Sequence, residues 1–284
     1  MDMNDNANLW VNPQSVDGDA ASRLAGNLTG GLGLREKLNR GCALGTFLIE
    51  MPTPVVVASL SLAGFDFVVL DMEHSAIGFS QLESLIIAGH ASGIAVIVRT
   101  WGPEPGLIGK VLDMGAHGVM ASHVDSPQRA GEVVEQAKFS PLGRRGFSPI
   151  TRLDALQRPL AELNEATYVI CQIEGASALS QAREIASVPG VDAVFVGPYD
   201  LALSMNAPPG SRTVFEAAER IAGTVPKDRA LGIYIDDPDE CANWAARRFT
   251  LQCVSFDGRM FADGVRGTIQ RARRALHKVE RAGG

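Results

Sequence analysis

Three carboxylates, one arginine and one histidine stand in this chain where they could do chemistry together. Glu174 closes the apolar run Tyr168-Val-Ile-Cys-Gln-Ile173, and Asp200 follows Ala193-Val-Phe-Val196 through the turn Gly197-Pro-Tyr199. A pair of carboxylates, without CxxC cysteines or paired histidines, suits a hard octahedral cation such as Mg²⁺ or Mn²⁺, with water and substrate completing the shell. Arg99 closes Ile94-Ala-Val-Ile-Val98. An unpaired guanidinium there would be costly to bury, so it requires an anion from the protein or from a substrate. His74 stands three residues after Asp71 in Asp71-Met-Glu-His74. A carboxylate that orients an imidazole makes an acid/base pair able to work near neutral pH. Each feature also has a structural reading: one carboxylate pairs with Arg99 and no metal binds, and His74 caps the helix that follows. Asp236 and Asp257 follow later apolar runs, and for them the structural reading is favoured. Asp236-Asp-Pro-Asp239 has the form of a helix N-terminus. The other histidines receive no role: His90 belongs to a helix, His117 and His123 flank a strand, and His277 lies in a basic tail.

These residues need a scaffold that brings them to one place. From Leu34 onward a short β-branched run is followed by a polar turn and a helix-length amphipathic stretch, and the pattern recurs. It predicts strands at residues 43–49, 65–70, 95–98, 118–121, 168–173, 193–196, 231–235 and 251–255. Helices are predicted at 54–62, 79–92, 105–114, 127–137, 153–165, 176–187, 214–223 and 238–247, with a long C-terminal helix at 261–278. Several strands are apolar throughout, as strands buried on both faces tend to be. Eight such units are enough to close a (β/α)₈ TIM barrel. An open doubly wound sheet is the competitor, but Gly30-Gly-Leu-Gly33 follows no strand, as a dinucleotide-binding turn would. In a barrel, residues just past the strands share the carboxyl end, which is where Asp71, Arg99, Glu174 and Asp200 fall. Residues 1–33, rich in Asn, Asp, Gly and Ser, are expected to form a flexible N-terminal extension, and residues 34–284 a single catalytic domain.

Bulk properties agree. The chain has 284 residues, 46% of them hydrophobic and 20% charged, enough for one sizeable core. A net charge of −6 argues against a nucleic-acid partner. Cys42, Cys171, Cys241 and Cys253 are widely spaced and read as free thiols. No apolar run reaches the ~18 residues a membrane span needs. The start of the chain lacks the basic and apolar regions of a signal peptide, so a cytoplasmic protein without membrane association is expected.

The segments Phe67-Val-Val-Leu-Asp-Met-Glu-His74, Val98-Arg99, Leu112-Asp-Met-Gly-Ala116, His123-Val-Asp125, Pro141-Leu-Gly-Arg-Arg-Gly146, Gln172-Ile-Glu174 and Val196-Gly-Pro-Tyr-Asp-Leu201 together resemble the HpcH/HpaI aldolase family. These are metal-dependent class II pyruvate aldolases, among them 4-hydroxy-2-oxoheptanedioate and 2-dehydro-3-deoxyglucarate aldolases. The resemblance covers roughly residues 35 to 275. It implies reversible cleavage of a 4-hydroxy-2-oxo acid to pyruvate and an aldehyde through a pyruvate enolate. Glu174 and Asp200 would hold Mg²⁺, Mn²⁺ or Co²⁺, and backbone N–H groups around Gly197, Tyr199 and Asp200 would hold the substrate carboxylate. Gln172 would line the site, Arg99 would stabilise the ketone oxygen as it becomes an enolate, and His74, oriented by Asp71, would move the aldol proton. Arg99→Ala is then expected to abolish turnover and leave the fold intact. The resemblance also implies a homo-oligomer, a trimer or hexamer that exchanges its C-terminal helix. Ser122 stands where the family usually has proline, and residues 147–152 match only loosely. The rival functions are oxaloacetate decarboxylation or another lyase reaction through the same enolate, and a non-catalytic, metal-dependent 2-oxo-acid-binding protein.

Overall fold

Alternation along the strands explains both the architecture and the position of the polar residues. The computed structural model describes residues 29–148 and 159–282. Its strands are β1 (Ala43–Leu48), β2 (Phe67–Asp71), β3 (Ala95–Thr100), β4 (Gly118–Ala121), β5 (Tyr168–Ile173), β6 (Ala193–Val196), β7 (Ala230–Ile235) and β8 (Phe249–Phe256). All pair in parallel with their sequence neighbours, and β1 pairs with β8 to close the barrel. Both strand faces are buried, so the runs carry no polar stripe, yet two apolar clusters separate by parity. Val68, Leu70, Val96, Val98, Val169 and Cys171 face the surrounding helices. Phe67, Val69, Ala95, Ile97, Tyr168 and Ile170 fill the barrel interior. Continuing the inward set by twos gives Asp71, Arg99, Gln172 and Glu174. The period of two along a strand thus delivers the polar groups to the barrel mouth.

The interior is packed by large rings against absent side chains. A Cβ at Gly45 would lie 2.4 Å from the Phe67 ring, and one at Gly232 would lie 2.3 Å from the Phe195 ring. Phe67 is fully buried. Phe67→Ala is expected to lower stability by about 3–5 kcal/mol, because Gly45 offers nothing to refill the void. A urea unfolding curve measures this, and a loss below roughly 1 kcal/mol would show that the interior collapses freely.

Outside the barrel, Phe79–Ser92 and Pro127–Ala137 form helices at the predicted bounds. Two others are tighter than expected: 176–187 is a 3₁₀ turn (Ala176–Gln181) running into a short α-helix (Ala182–Ala186), and 238–247 divides in the same way. The helix expected at 153–165 is seen as Leu160–Ala166; residues 149–158 lie outside the described residues. A short helix, Pro198–Ser204, follows β6 where the sequence predicts only a turn. Of the expected extension, residues 1–28 lie outside the described residues. A helix, α1 (Thr29–Arg40), crosses the boundary drawn at residue 33. Its Leu34 packs into the interior cluster beside the first residues of the strands, and Arg35 pairs with Asp192 at 2.7 Å, so α1 closes the amino end of the barrel.

At the other end, Asp257 is engaged structurally. Its carboxylate accepts from the backbone N–H groups of Ile49, Glu50 and Met51, fastening the loop after β1 to the end of β8. Asp257 also begins the C-terminal helix, Asp257–Ala282, which exposes Phe261, Val265, Ile269 and Leu276 along one stripe. No described helix is long and apolar enough to cross a membrane. The four cysteines are free thiols.

Candidate active site

Asp71 is fully buried, and its two oxygens receive Arg99 Nε at 2.8 Å and Nη2 at 2.6 Å. This is a bidentate carboxylate–guanidinium pair, and it fixes the plane of Arg99. The guanidinium carbon lies 4.6 Å from the centre of the Phe47 ring, and Glu73 Oε2 is 3.5 Å from Nε. Burial works against the charge of Arg99, but the hydrogen-bonded Asp71, with Glu73 and Glu174, more than offsets this and raises its pKa.

The expected pairing of Asp71 with His74 is not the one formed. Arg99 takes both Asp71 oxygens, and the carboxylate near His74 is Glu73, with Oε2 3.8 Å from His74 Nε2. The reason is parity: Asp71 points into the barrel beside Arg99, its neighbour in register on β3, whereas His74 has left the strand and is half exposed.

Glu174, just past β5, is buried. Its Oε2 accepts from Gln172 Nε2, and its Oε1 accepts from the backbone N–H of His123 at 2.7 Å. Burial pushes the Glu174 carboxyl above the usual carboxylate range. The N–H and ring of His123 pull it back, while the charges of Glu73 and Asp200 push it further up. Glu73 accepts from Ser122 Oγ at 2.7 Å, and its Oε1 lies 3.0 Å from His123 Nε2. Glu73, His123 and Glu174 each offer a ligand atom, all within 4.8 Å of one another. Asp200 is half-buried and lines the adjoining cavity without joining that trio.

The cavity, about 330 Å³, is walled by His74, Arg99, Gln172, Gly197, Tyr199 and Asp200 on its polar side, and by Phe47, Ile49, Phe195, Tyr234 and Phe256 on its apolar side. Gln172 Oε1 is buried with no hydrogen-bond partner and so has an acceptor to offer a donor at the cavity wall. Tyr199 donates to Asp236, which also pairs with Arg259, so Asp236 organises the rim. The structure therefore brings Arg99, His74, Gln172, Gly197, Tyr199 and Asp200 to one cavity, with Asp71 and Glu174 bonded to its walls. Glu73, Ser122 and His123 were missed by sequence reasoning. Glu73 was visible inside Asp71-Met-Glu-His74, and Ser122 and His123 follow a predicted strand as directly as Glu174 does.

Fold and site define a class: a closed parallel barrel whose ionisable groups converge at the carboxyl ends of β2 to β6. Residues 46–264 match the family described as HpcH/HpaI aldolase/citrate lyase. The chain belongs to the HpcH/HpaI aldolase/citrate lyase family. It is similar to the 2-dehydro-3,6-dideoxy-6-sulfogluconate aldolase of Pseudomonas putida, at 38% identity over 56% of this chain and 63% of that one. It is also similar to the hydroxypyruvate/pyruvate aldolase of Rhizorhabdus wittichii, at 36% identity over 57% and 64%. The matched stretches thus span a little under two thirds of these relatives. An HpcH/HpaI aldolase from Desulfitobacterium hafniense superimposes with a TM-score of 0.79 at 26% identity, covering 84% of this chain and 96% of that one.

Proposed function

We propose that this barrel is a divalent-metal-dependent aldolase that reversibly cleaves a 4-hydroxy-2-oxo acid to pyruvate and an aldehyde. The observation that carries the reading is the convergence of Arg99, His74 and Asp200 on one cavity, with the trio Glu174, Glu73 and His123 beside its wall. The names of the relatives, aldolases of a 2-dehydro sugar acid and of hydroxypyruvate/pyruvate, support the same substrate class.

The donor set fits Mg²⁺, Mn²⁺ or Co²⁺. A cation beside the buried Glu174 would relieve the cost that raises its pKa, and the unpartnered Gln172 Oε1 can accept from a substrate hydroxyl. Glu174 and Asp200 would hold the ion, which when bound polarises the ketone and stabilises negative charge. Arg99 presents a fixed cation to the ketone oxygen, strengthening its hold as that oxygen gains charge while the C3–C4 bond breaks. Asp71 positions Arg99. His74 takes the proton of the C4 hydroxyl as the aldehyde forms and returns it in the condensation direction. The Gly197 N–H is given to Ile173 O, which corrects the expectation that it holds substrate. The N–H groups of Tyr199 and Asp200, in the first turn of the helix Pro198–Ser204, hold the substrate carboxylate, and the apolar wall of Phe47, Ile49, Tyr234 and Phe256 receives the rest of the acid.

The test is proton NMR of pyruvate in D₂O with metal-stripped protein, before and after Mg²⁺, Mn²⁺ or Co²⁺ is added. Deuteration of the methyl group that needs the metal and vanishes in Glu174→Ala is the expected result. Oxo-acid binding with no exchange under any metal would leave a binding protein instead of an aldolase. The apolar stripe on the C-terminal helix, with Val55, Leu62 and Ile87 exposed elsewhere, supports a homo-oligomer, a trimer or hexamer, and light scattering reads its mass.

A further inference from the structure

His123 has the least ordinary backbone in the site. Its φ is +53°, a region that residues with a Cβ occupy only a few per cent of the time. By alternation after Ser122 its side chain would leave the barrel. Instead, its N–H is bonded to Glu174 Oε1, and the ring comes to lie between two carboxylates. Nδ1 is 2.9 Å from Glu174 Oε1, and Nε2 is 3.0 Å from Glu73 Oε1. Glu73 is itself held by Ser122 Oγ at 2.7 Å. The ring remains 59% exposed, so one side is open to solvent.

Histidines that ligate metals share this arrangement: one ring nitrogen faces the ion, and the other donates to a carboxylate that fixes the tautomer. Two ligands at right angles on an ion with bonds of roughly 2.1 Å stand about 3 Å apart. His123 Nδ1 and Glu174 Oε1 have that separation.

We infer that His123 Nδ1 is a nitrogen ligand of the cation site, beside Glu174, with Glu73 as the outer carboxylate that orients the ring and Ser122 as the group that orients Glu73. The inference rests on the metal-dependent reading above and adds the ion that the site selects. Carboxylates alone suit Mg²⁺ and Mn²⁺, whereas an imidazole shifts preference toward borderline ions such as Co²⁺, Ni²⁺ and Zn²⁺. The competing account is an ion pair, in which the ring lies between Glu73 and Glu174 and no nitrogen reaches the metal.

Pulsed electron paramagnetic resonance separates the two. Metal-stripped full-length protein is loaded with Mn²⁺, and the spin echo is examined for ¹⁴N modulation. The expected result is a directly coordinated imidazole nitrogen in the wild type and none in His123→Asn, a residue that tolerates positive φ. Titration calorimetry with Co²⁺ and Mg²⁺ should show the preference for Co²⁺ falling at least tenfold in His123→Asn. Glu73→Gln should keep the nitrogen signal and bind Co²⁺ about 10–100-fold more weakly, as loss of an outer-sphere partner does. Mn²⁺ bound to the wild type without nitrogen modulation, or an unchanged Co²⁺-to-Mg²⁺ preference in His123→Asn, would overturn the inference and leave the aldolase reading standing. Failure of the wild type to bind Mn²⁺, Co²⁺ or Mg²⁺ would overturn both.

Discussion

Arg99→Ala is expected to lower turnover by about 10²–10³-fold and to weaken the fold as well. Losing a fixed donor to an oxygen that gains charge costs about 10²–10³-fold in kcat. The structural cost arises at Asp71, which is fully buried and gives both its oxygens to Arg99. Stripped of its cation, a buried carboxylate destabilises by about 3–5 kcal/mol. The expectation that this substitution leaves the fold intact is therefore corrected by the geometry. Urea unfolding read alongside kcat measures both effects. A double replacement, Asp71→Leu with Arg99→Met, should recover much of the stability and none of the turnover. Near-full activity in Arg99→Ala would remove the role assigned to the guanidinium.

Gly197→Ala should damage the site without a comparable effect on the fold. The backbone at Gly197 has an ordinary φ of −90°, so any effect is one of space alone. An added Cβ would lie 2.8 Å from Glu174 Oε2, 2.8 Å from Gln172 Nε2 and 3.1 Å from Glu174 Cβ. Both neighbours are buried and bonded to each other, so neither can swing aside. Overpacking of this kind costs about 1–3 kcal/mol, whereas displacing a reacting group by an ångström can cost about 10²-fold in rate. Mn²⁺ affinity and the rate of pyruvate deuteration should both fall by a larger factor than the loss of about 1–3 kcal/mol in unfolding free energy accounts for. If both stayed at wild-type values, Gly197 would not be the cradle of Glu174.

What could be read from sequence follows from periodicity. The strands beginning at Gly118, Tyr168 and Ala193 are found at the predicted bounds, because an apolar run between polar turns defines both ends. Glu174, Arg99 and Asp200 were legible for a related reason: a charge at the end of a strand buried on both faces is anomalous. The partner of Asp71 was not legible. Spacing along the chain favoured His74, but the pairing is set by register across the sheet, where Asp71 stands opposite Arg99. His123 was hidden by its backbone. Alternation sends the residue after Ser122 outward, and no one-dimensional pattern announces a φ of +53° at a histidine. Helix α1 was lost within a segment whose glycine-rich composition resembles a linker, although Leu34 and Leu38 carry its apolar contact.

The bonds from Asp257 to the loop after β1 join residues 206 to 208 positions apart. Ile49, which walls the cavity, is fixed by a carboxylate that lies 208 positions further along the chain, and β1 finds its second neighbour only in β8. A growing chain thus carries Asp71, Arg99 and Glu174 long before it has a finished chamber to put them in. The chamber is complete only when β8 stands beside β1 and Asp257 holds the first loop. Partly made barrels therefore hold the chemistry's residues without the enclosure that would let them act.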